Sequence, residues 1–411
     1  MADTLKPHAA RDVEEAVQWA QSRGAALELV GGGSKRVIGR PAQTDLTLDL
    51  SGLSGVILYE PEELVLSAQA GTPLDEIEVL LAAKGQHLAF EPIDYGPLLG
   101  GAPSRGTIGG VLAANLCGPR RIAAGAARDH FLGFEAVSGR GETFKSGGRV
   151  VKNVTGYDIS KLIAGSWGTL AALTTVTIKT LPRPQTQATV VVSGLDDATA
   201  VRAMAAAMAT SCDVSGAAHL PVTVTPRIGP SIGLGIAAGR SLTVLRVEGV
   251  GPSVDHRKAA LSAAMKAFGA AELCDEDVSR NLWHAIRDVM PFAAADVAAR
   301  PVWRIVTAPS RGAELAAMIS AVAQAEVIYD WAGGLVWVML TSSDDAGAAV
   351  IRRAVGACGG QAMLVRAPAA TRAAVDVFSA QQPGLASLTR RVKQGFDPNG
   401  VLNPGRMWAG V

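Results

Sequence analysis

Three segments carry glycine and hydroxyl residues at spacings that suit anion binding. Val30–Arg36 reads VGGGSKR, an apolar strand running into three consecutive glycines. Backbone without side chains lets N–H groups converge on a phosphate, and the Ser34 hydroxyl can add a bond. The string lacks the Gly-Lys-Ser/Thr end of a Walker loop. No GxGxxG precedes a helix with an acid roughly 20 residues on, so a dinucleotide Rossmann turn is not indicated either. By itself a triple glycine is equally a simple turn. Ser104–Asp129 reads SRGTIGGVLAANLCGPRRIAAGAARD. Thr107, Ile108, Gly109 and Gly110, with small residues on to Asn115, describe a short helix whose start packs against something flat or anionic, or against a sheet. In the third segment, Lys152-Asn153 precedes a helix start at Thr155-Gly156-Tyr157-Asp158, and that helix ends at Gly165. Gly165-Ser166-Trp167-Gly168-Thr169-Leu170 then enters a strand. Glycine loops beside strands, with a helix N-terminus, suit a pyrophosphate and a planar ring system.

Other chemistries lack their residues. Cys117, Cys212, Cys274 and Cys358 have no CxxC or CxxH spacing, which argues against an iron–sulfur or zinc site and for reduced, buried thiols. His219, His256 and His284 are isolated, so no metal site and no catalytic base is assigned. Arg120-Arg121 and Arg352-Arg353 could each grip a carboxylate bidentately, or be solvated surface charge. A net charge of +1 gives no bulk field for nucleic acid or an anionic membrane.

The elements that must position these segments follow from patterning. A chain of 411 residues with 48% hydrophobic and 18% charged residues predicts a well-buried protein of two or three subdomains. The acidic N-terminus has no apolar core of a secretory signal, and no apolar run is long enough to cross a bilayer. Asp12 is expected to cap a helix burying Val13, Ala16, Val17 and Ala20 and stopping at Gly24; Thr72-Pro73 opens another, closed at Gly85. Strands are expected at Leu27–Val30, Leu46–Leu50, Val56–Tyr59 and Leu64–Ala70, with a hairpin across Gly139-Arg140-Gly141. Pro182-Arg183-Pro184 marks a boundary. From about 190 to 365, Ala-rich helices alternate with strands at Leu242–Val247, Trp303–Thr307, Val327–Tyr329 and Leu335–Leu340, a smaller α+β domain of two βαβ-like units without a visible internal repeat.

Taken in order, GGGSK, TIGG with AAN, KNVTGYDISKLIAGSWGTLAALT and the tail FDPNGVLNPG resemble the vanillyl-alcohol-oxidase family of PCMH-type FAD-binding proteins. Within it they are most similar to the FAD-binding E subunits of bacterial glycolate oxidase (glycolate dehydrogenase). The resemblance covers roughly residues 1–185 and 375–411. It implies an α+β fold: a two-subdomain FAD-binding domain over 1–185, a ferredoxin-like cap over 186–370 and a returning segment over 371–411. It also implies that Gly31, Gly32, Gly33, Ser34 and Lys35 wrap the pyrophosphate of FAD. Thr107, Gly109, Gly110, Asn115 and Asp129 would line the diphosphate, ribose and dimethylbenzene side. Tyr157, Gly165, Ser166, Gly168, Thr169 and Ile178 would hold the adenylate and ring edge, with Asn403 reaching the flavin from the tail. Ser34 stands where covalent members carry a tethering His, so the FAD is expected to be non-covalent. The metal-binding GDGN and Glu-His-Gly strings of catalytic 2-hydroxy-acid members do not occur. The implied function is a FAD-dependent oxidoreductase subunit oxidising glycolate or a similar small 2-hydroxy acid. Its partners would be a second, metal-motif-bearing FAD subunit and an iron–sulfur subunit, at a cytoplasmic site peripheral to the inner membrane. The alternative is a non-catalytic structural or electron-relay flavin subunit whose partner performs the chemistry.

Overall fold

Helix Ala10–Arg23 buries Val13, Val17 and Ala20, a spacing that places them on one face. They pack with Leu27, Leu29 and Leu48 over a three-stranded parallel sheet ordered Asp3–Leu5, Leu46–Asp49, Leu27–Val30. Ala9, not Asp12, is the N-cap. Asp12 lies inside the first turn, where its carboxylate accepts from the backbone N–H of His8 (2.9 Å) and Ala9 (3.0 Å), which holds it below the usual carboxylate range. The donors needing satisfaction are thus reached from within the helix. Gly24 ends it at φ 63°. The computed structural model describes residues 3–41, 43–149, 156–228, 239–341 and 343–411; Lys152, Asn153 and Thr155 lie outside these.

A five-stranded antiparallel sheet follows, ordered Val56–Glu60, Val65–Gln69, Ala171–Lys179, Phe131–Ser138, Thr143–Gly147. The last two strands form the expected hairpin. Helix Leu74–Ala82 has Pro73 at its N-cap. The Thr72 hydroxyl does not cap it, because that group donates to the Gln69 carbonyl (2.7 Å) and accepts from Gly55 N–H (3.0 Å). Within the glycine-rich 91–129 segment lie four short helices, Tyr95–Leu98, Ile108–Ala113, Arg121–Ala124 and Ala127–His130.

The remaining sheet has eight strands, all paired antiparallel. Its first half runs strand Thr186–Ser193, helix Asp197–Met208, strands Gly216–Leu220 and Leu242–Gly249, helix Gly251–Met265, strand Ala271–Cys274. The second repeats that order with strand Val302–Val306, helix Gly312–Ser320, strands Ala325–Asp330 and Leu335–Leu340, helix Ala348–Cys358, strand Gln361–Arg366. Two split βαβ units therefore lie side by side, joined where His219 pairs with Tyr329. The repeat is one of topology, which the residues do not show. Along Leu335–Leu340, Val336, Val338 and Leu340 join the core under the four helices, while Leu335, Trp337 and Met339 join the core continuous with the N-terminal sheets.

The tail closes the first layer. After helix Pro383–Phe396, Val401 accepts from Leu27 N–H (2.7 Å) and Asn403 N–H donates to the Leu27 carbonyl (2.9 Å). Buried Lys393 donates to Asp397 (2.6 Å) and to the carbonyls of Thr169 (2.7 Å) and Leu402 (2.9 Å). Asp397 accepts in turn from Val401 and Leu402 N–H. A buried pair with its remaining valences satisfied in this way avoids the cost of an orphaned charge. A second ion cluster joins the eight-stranded sheet to the rest: Glu91 accepts from Arg246 (2.9 and 3.0 Å), and Arg120 reaches both Glu91 (3.0 Å) and Glu248. Burial would raise the Glu91 carboxyl, but the two guanidiniums outweigh it and hold it at about 2.

Candidate functional site

Two adjoining hollows share Ala114 and Trp167 in their walls. The first is a cleft lined by Gly31, Gly32, Gly33, Ser34 and Lys35 from the glycine loop. Thr107, Gly109 and Gly110 come from the start of the Ile108–Ala113 helix, Gly168 from the loop before strand Ala171–Lys179, and Asn403 from the tail. Four strings far apart in sequence thus meet in one place. Glycine is required here partly for chain-to-chain approach. A Cβ on Gly32 would lie 1.8 Å from the Arg105 carbonyl oxygen, one on Gly31 2.5 Å from Thr107 Oγ1, and one on Gly109 2.7 Å from the Ala70 carbonyl oxygen. Gly33 also needs its φ of +77°.

The cleft is cationic. Lys35 is half-buried within it, its Nζ 3.1 Å from Ser34 Oγ. Burial, with the neighbouring Arg406 charge, brings the Lys35 ammonium down to about 8. Arg406 donates to the Lys35 carbonyl (3.0 Å) and stacks on Trp167, 5.6 Å from the ring centroid. Burial lowers Arg406 to about 10, and its Nε has no partner among the described residues. Arg36 also lines the cleft, bound to Glu28 (2.5 Å), and no Asp or Glu is in the wall. Half-buried cations with an unmet donor, beside walls of glycine and alanine, fit the diphosphate and flat rings of FAD.

Asn115 and Gly165 line the second hollow instead. Asn403 has its amide engaged by the protein: Oδ1 accepts from Leu29 N–H (2.9 Å) and Nδ2 donates to the Trp167 carbonyl (2.8 Å). Ser166 and Thr169 are buried behind Trp167 and Gly168, with Thr169 Oγ1 donating to the Ser166 carbonyl (2.8 Å). Ile178 is a core residue, opposite Leu66 and Phe131 in the sheet. Asp129 is exposed, its carboxylate accepting from Ala126 N–H (2.9 Å), and Tyr157 is 90% exposed. None of these last five lines either hollow. Arg406 escaped the sequence reading; its one signal is its place in NPGRMW, three residues after Asn403. Asn115, Trp167 and Asn403 all hold positive φ (49°, 55° and 44°), a strained conformation concentrated at these walls.

The second hollow, of ≈ 590 Å³, lies between the helical segment and the eight-stranded sheet. Tyr95, Cys117 and Arg121 face it from one side, and Arg304, Trp331 and Met363 from the other. Burial pushes the Tyr95 phenol up to about 12. The adjacent arginine pairs separate: Arg120 is tied into the ion cluster, whereas Arg121 opens on this hollow. Arg352 donates to the carbonyls of Ala362, Asp376 and Phe378, and Arg353 is exposed. All four cysteines are free and buried. Among the described residues no three His, Cys, Asp or Glu side chains gather as metal ligands, and no helix is long and apolar enough to cross a membrane.

Residues 3–147 match the model of the FAD binding domain, and residues 378–407 that of the FAD linked oxidases C-terminal domain. The chain is 33% identical to "Glycolate oxidase subunit GlcE" of Escherichia coli (strain K12), over 96% of each chain. It is 23% identical to "Glycolate oxidase subunit GlcD" of Bacillus subtilis (strain 168), over 94% of this chain and 83% of that one. Its fold is that of alkyldihydroxyacetonephosphate synthase (TM-score 0.73, 18% identity, 98% and 76% of the two chains). The same holds for 4-ethylphenol oxidase from Gulosibacter chungangensis (TM-score 0.73, 14% identity, 99% and 89% of the two chains). With a cationic, glycine-walled cleft built from the strings these models describe, the chain belongs to the PCMH-type FAD-linked oxidases, in the family of the glycolate oxidase subunit GlcE.

Proposed function

We propose that this chain is the FAD-binding subunit of a glycolate oxidase complex, a FAD-dependent 2-hydroxy-acid dehydrogenase. The observation that carries the reading is the convergence of Gly31–Lys35, Thr107–Gly110, Gly168 and Arg406 on one cationic cleft that adjoins a second hollow under the eight-stranded sheet. Lys35 and Arg406 would hold the diphosphate, with backbone amides of Gly31, Gly32 and Gly33 free to approach it because no Cβ intervenes. Trp167 and the small residues Ala113, Ala114 and Gly168 would flank the rings. Asp129, Tyr157, Ser166, Thr169 and Ile178 act, in this reading, as support behind or beside the walls. Asn403 positions Leu29 and Trp167 through its amide. When bound, FAD supplies the hydride acceptor for the alcohol carbon of the acid. The cap over 186–370 excludes water from that face, and the 1–185 and 371–411 segments form the FAD-binding unit.

Non-covalent binding is supported by Ser34 in the cleft and by the lack of any histidine in either wall among the described residues. GlcE is named as a subunit, and partner subunits follow for this chain. One would carry the metal motif that this sequence lacks and another the iron–sulfur centres that its four scattered cysteines cannot build. Attachment at the cytoplasmic face of the inner membrane would come through them. A purely structural flavin subunit is not what these relatives favour. The test is to purify the chain alone and with its partners co-expressed, precipitate each with acid, and follow anaerobic bleaching by glycolate. All yellow colour should leave as free FAD, and dye-linked glycolate oxidation should need the complex. Flavin retained in the washed pellet refutes non-covalent binding, and equal rates without partners refute the dependence on them.

A further inference from the structure

The hollow under the sheet carries two cations with no acid in its wall. Arg121 comes from the helical segment and Arg304 from strand Val302–Val306, and both guanidiniums lie over the Trp331 indole, 4.8 and 5.1 Å from the ring centroid. Their charge centres are therefore at most about 10 Å apart. Neither forms an ion pair among the described residues; Arg121 donates only a weak bond to Cys117 Sγ (3.4 Å). Asp330, adjacent to Trp331 in sequence, is fully buried behind it, with Oδ1 accepting from the Trp331 N–H (2.7 Å), and it does not line the hollow. Trp331 itself is fixed at φ 52°, and its Nε1 donates to the Gly118 carbonyl across the junction (3.0 Å). A rigid aromatic shelf thus sets the two guanidiniums from opposite halves of the molecule towards one space. Unpaired, partly buried cations of this kind attract an anion strongly, because the surroundings screen charge less than water does.

We propose that Arg121 and Arg304, braced on Trp331, hold the carboxylate of a small monocarboxylic acid in this hollow. The substrate class is a 2-hydroxy acid, and the proposal rests on the dehydrogenase reading above. Met363, Phe378 and Trp408 supply an apolar part of the wall, beside Gln361, Ser379 and Gln381, and the volume exceeds what a two-carbon acid fills. The site therefore accepts a short apolar tail on the acid. Its carboxylate bridges the cap to the FAD-binding unit, so binding should tighten the join between them.

The test uses the flavin-loaded chain and oxamate, a monocarboxylate that cannot be oxidised at a carbinol, followed by calorimetric titration. Oxamate should bind, and its neutral counterpart oxamide should not. Arg121→Met and Arg304→Met should each weaken oxamate about tenfold or more, the loss expected for a hydrogen bond to a charged group, while flavin absorbance per chain is retained. Where a Met variant loses flavin or thermal stability, Arg121→Lys and Arg304→Lys answer the same question. They keep the charge but lose the planar fork, so affinity should fall less than with Met yet stay below that of the parent. Failure of oxamate to bind, or unchanged affinity with both lysines in place, overturns the assignment. A chain that purifies without flavin refutes the FAD reading instead, and oxamate binding to that chain still decides this one.

Discussion

The glycine cleft and the hollow under the eight-stranded sheet are both cationic, yet they are built in opposite ways. The cleft takes its walls from short contiguous strings, Gly31–Lys35 and Thr107–Gly110, whose composition already says that backbone must come close to something. The hollow also has short runs in its wall, at 114–117, 360–363 and 378–382, but its cations and their shelf are single residues, one per element: Arg121 from a four-residue helix, Arg304 from a strand, Trp331 from a single 3-10 turn. Backbone-built sites leave a run of glycines in the sequence. Side-chain-built sites leave isolated letters that read as ordinary strand or surface residues. The difference also divides the labour, with the cleft suited to a large constant ligand and the hollow to a small variable one.

The sharpest way to break this comparison is Gly32→Val. The loop composition alone suggests a loss of FAD affinity with the fold intact. The position of its Cβ, 1.8 Å from the Arg105 carbonyl oxygen, predicts damage to the protein itself. We expect destabilisation of about 1–3 kcal/mol or more, the usual cost of overpacking, read by chemical denaturation of the flavin-free protein. Unchanged stability would mean that the loop moves freely. A smaller, cleaner effect is expected from Lys35→Met. Loss of one charge-assisted bond should lower FAD affinity about 10–100-fold, with stability equal or higher because a half-buried ammonium is removed. Oxamate binding should not change in that variant, whereas the Arg121 and Arg304 variants should show the converse. If both ligands weaken together, the two hollows are one site.

The smallest effect is that of pH. The Lys35 ammonium is held near 8 by burial and by Arg406, with Asp94 opposing. A bound phosphate favours the charged form, so Lys35 has a higher pKa in the FAD complex than without it. FAD affinity should therefore be flat below pH 8 and decline above it, by less than tenfold per pH unit, up to the pKa in the complex. The decline should vanish in Lys35→Met. A slope that persists there assigns the titration to another group.

Much of the architecture was legible because periodicity is local. Most strands of the two N-terminal sheets and the 131–147 hairpin follow from patterns within single segments, though the edge strand Asp3–Leu5 does not. What escaped was long-range. Asp12 looked like a cap because an acid just before a helix and an acid in its first turn both meet orphan N–H groups, but here the donors are His8 and Ala9, which precede it, not the residues that follow. Helix and strand signals showed two βαβ-like units, but the doubling of the βαββαβ order left no repeat in the residues, because any apolar alternation can build it. Arg120 and Arg121 were indistinguishable as letters, and only the fold sends one to Glu91 and Glu248 and the other to the hollow. Arg304 sits in VWRIV, which reads as a buried strand, and Arg406 in a turn-rich tail where a single cation carries no pattern.

The pairing of Leu27 with Val401 and Asn403 has a consequence for the order of events during synthesis. The glycine loop leaves the ribosome early, but Asn403, which completes the cleft and binds Leu29, is made 374 residues later than Leu29, with Arg406 just beyond it. Domains generally fold as they emerge, N-terminal part first. Here the first layer has to wait, with an unfilled edge beside Leu27, for a short segment around Leu402 that is translated much later. The cofactor can be captured firmly only after Asn403 and Arg406 have emerged. A ribosome stalled before residue 400 should therefore display the glycine loop without retaining flavin.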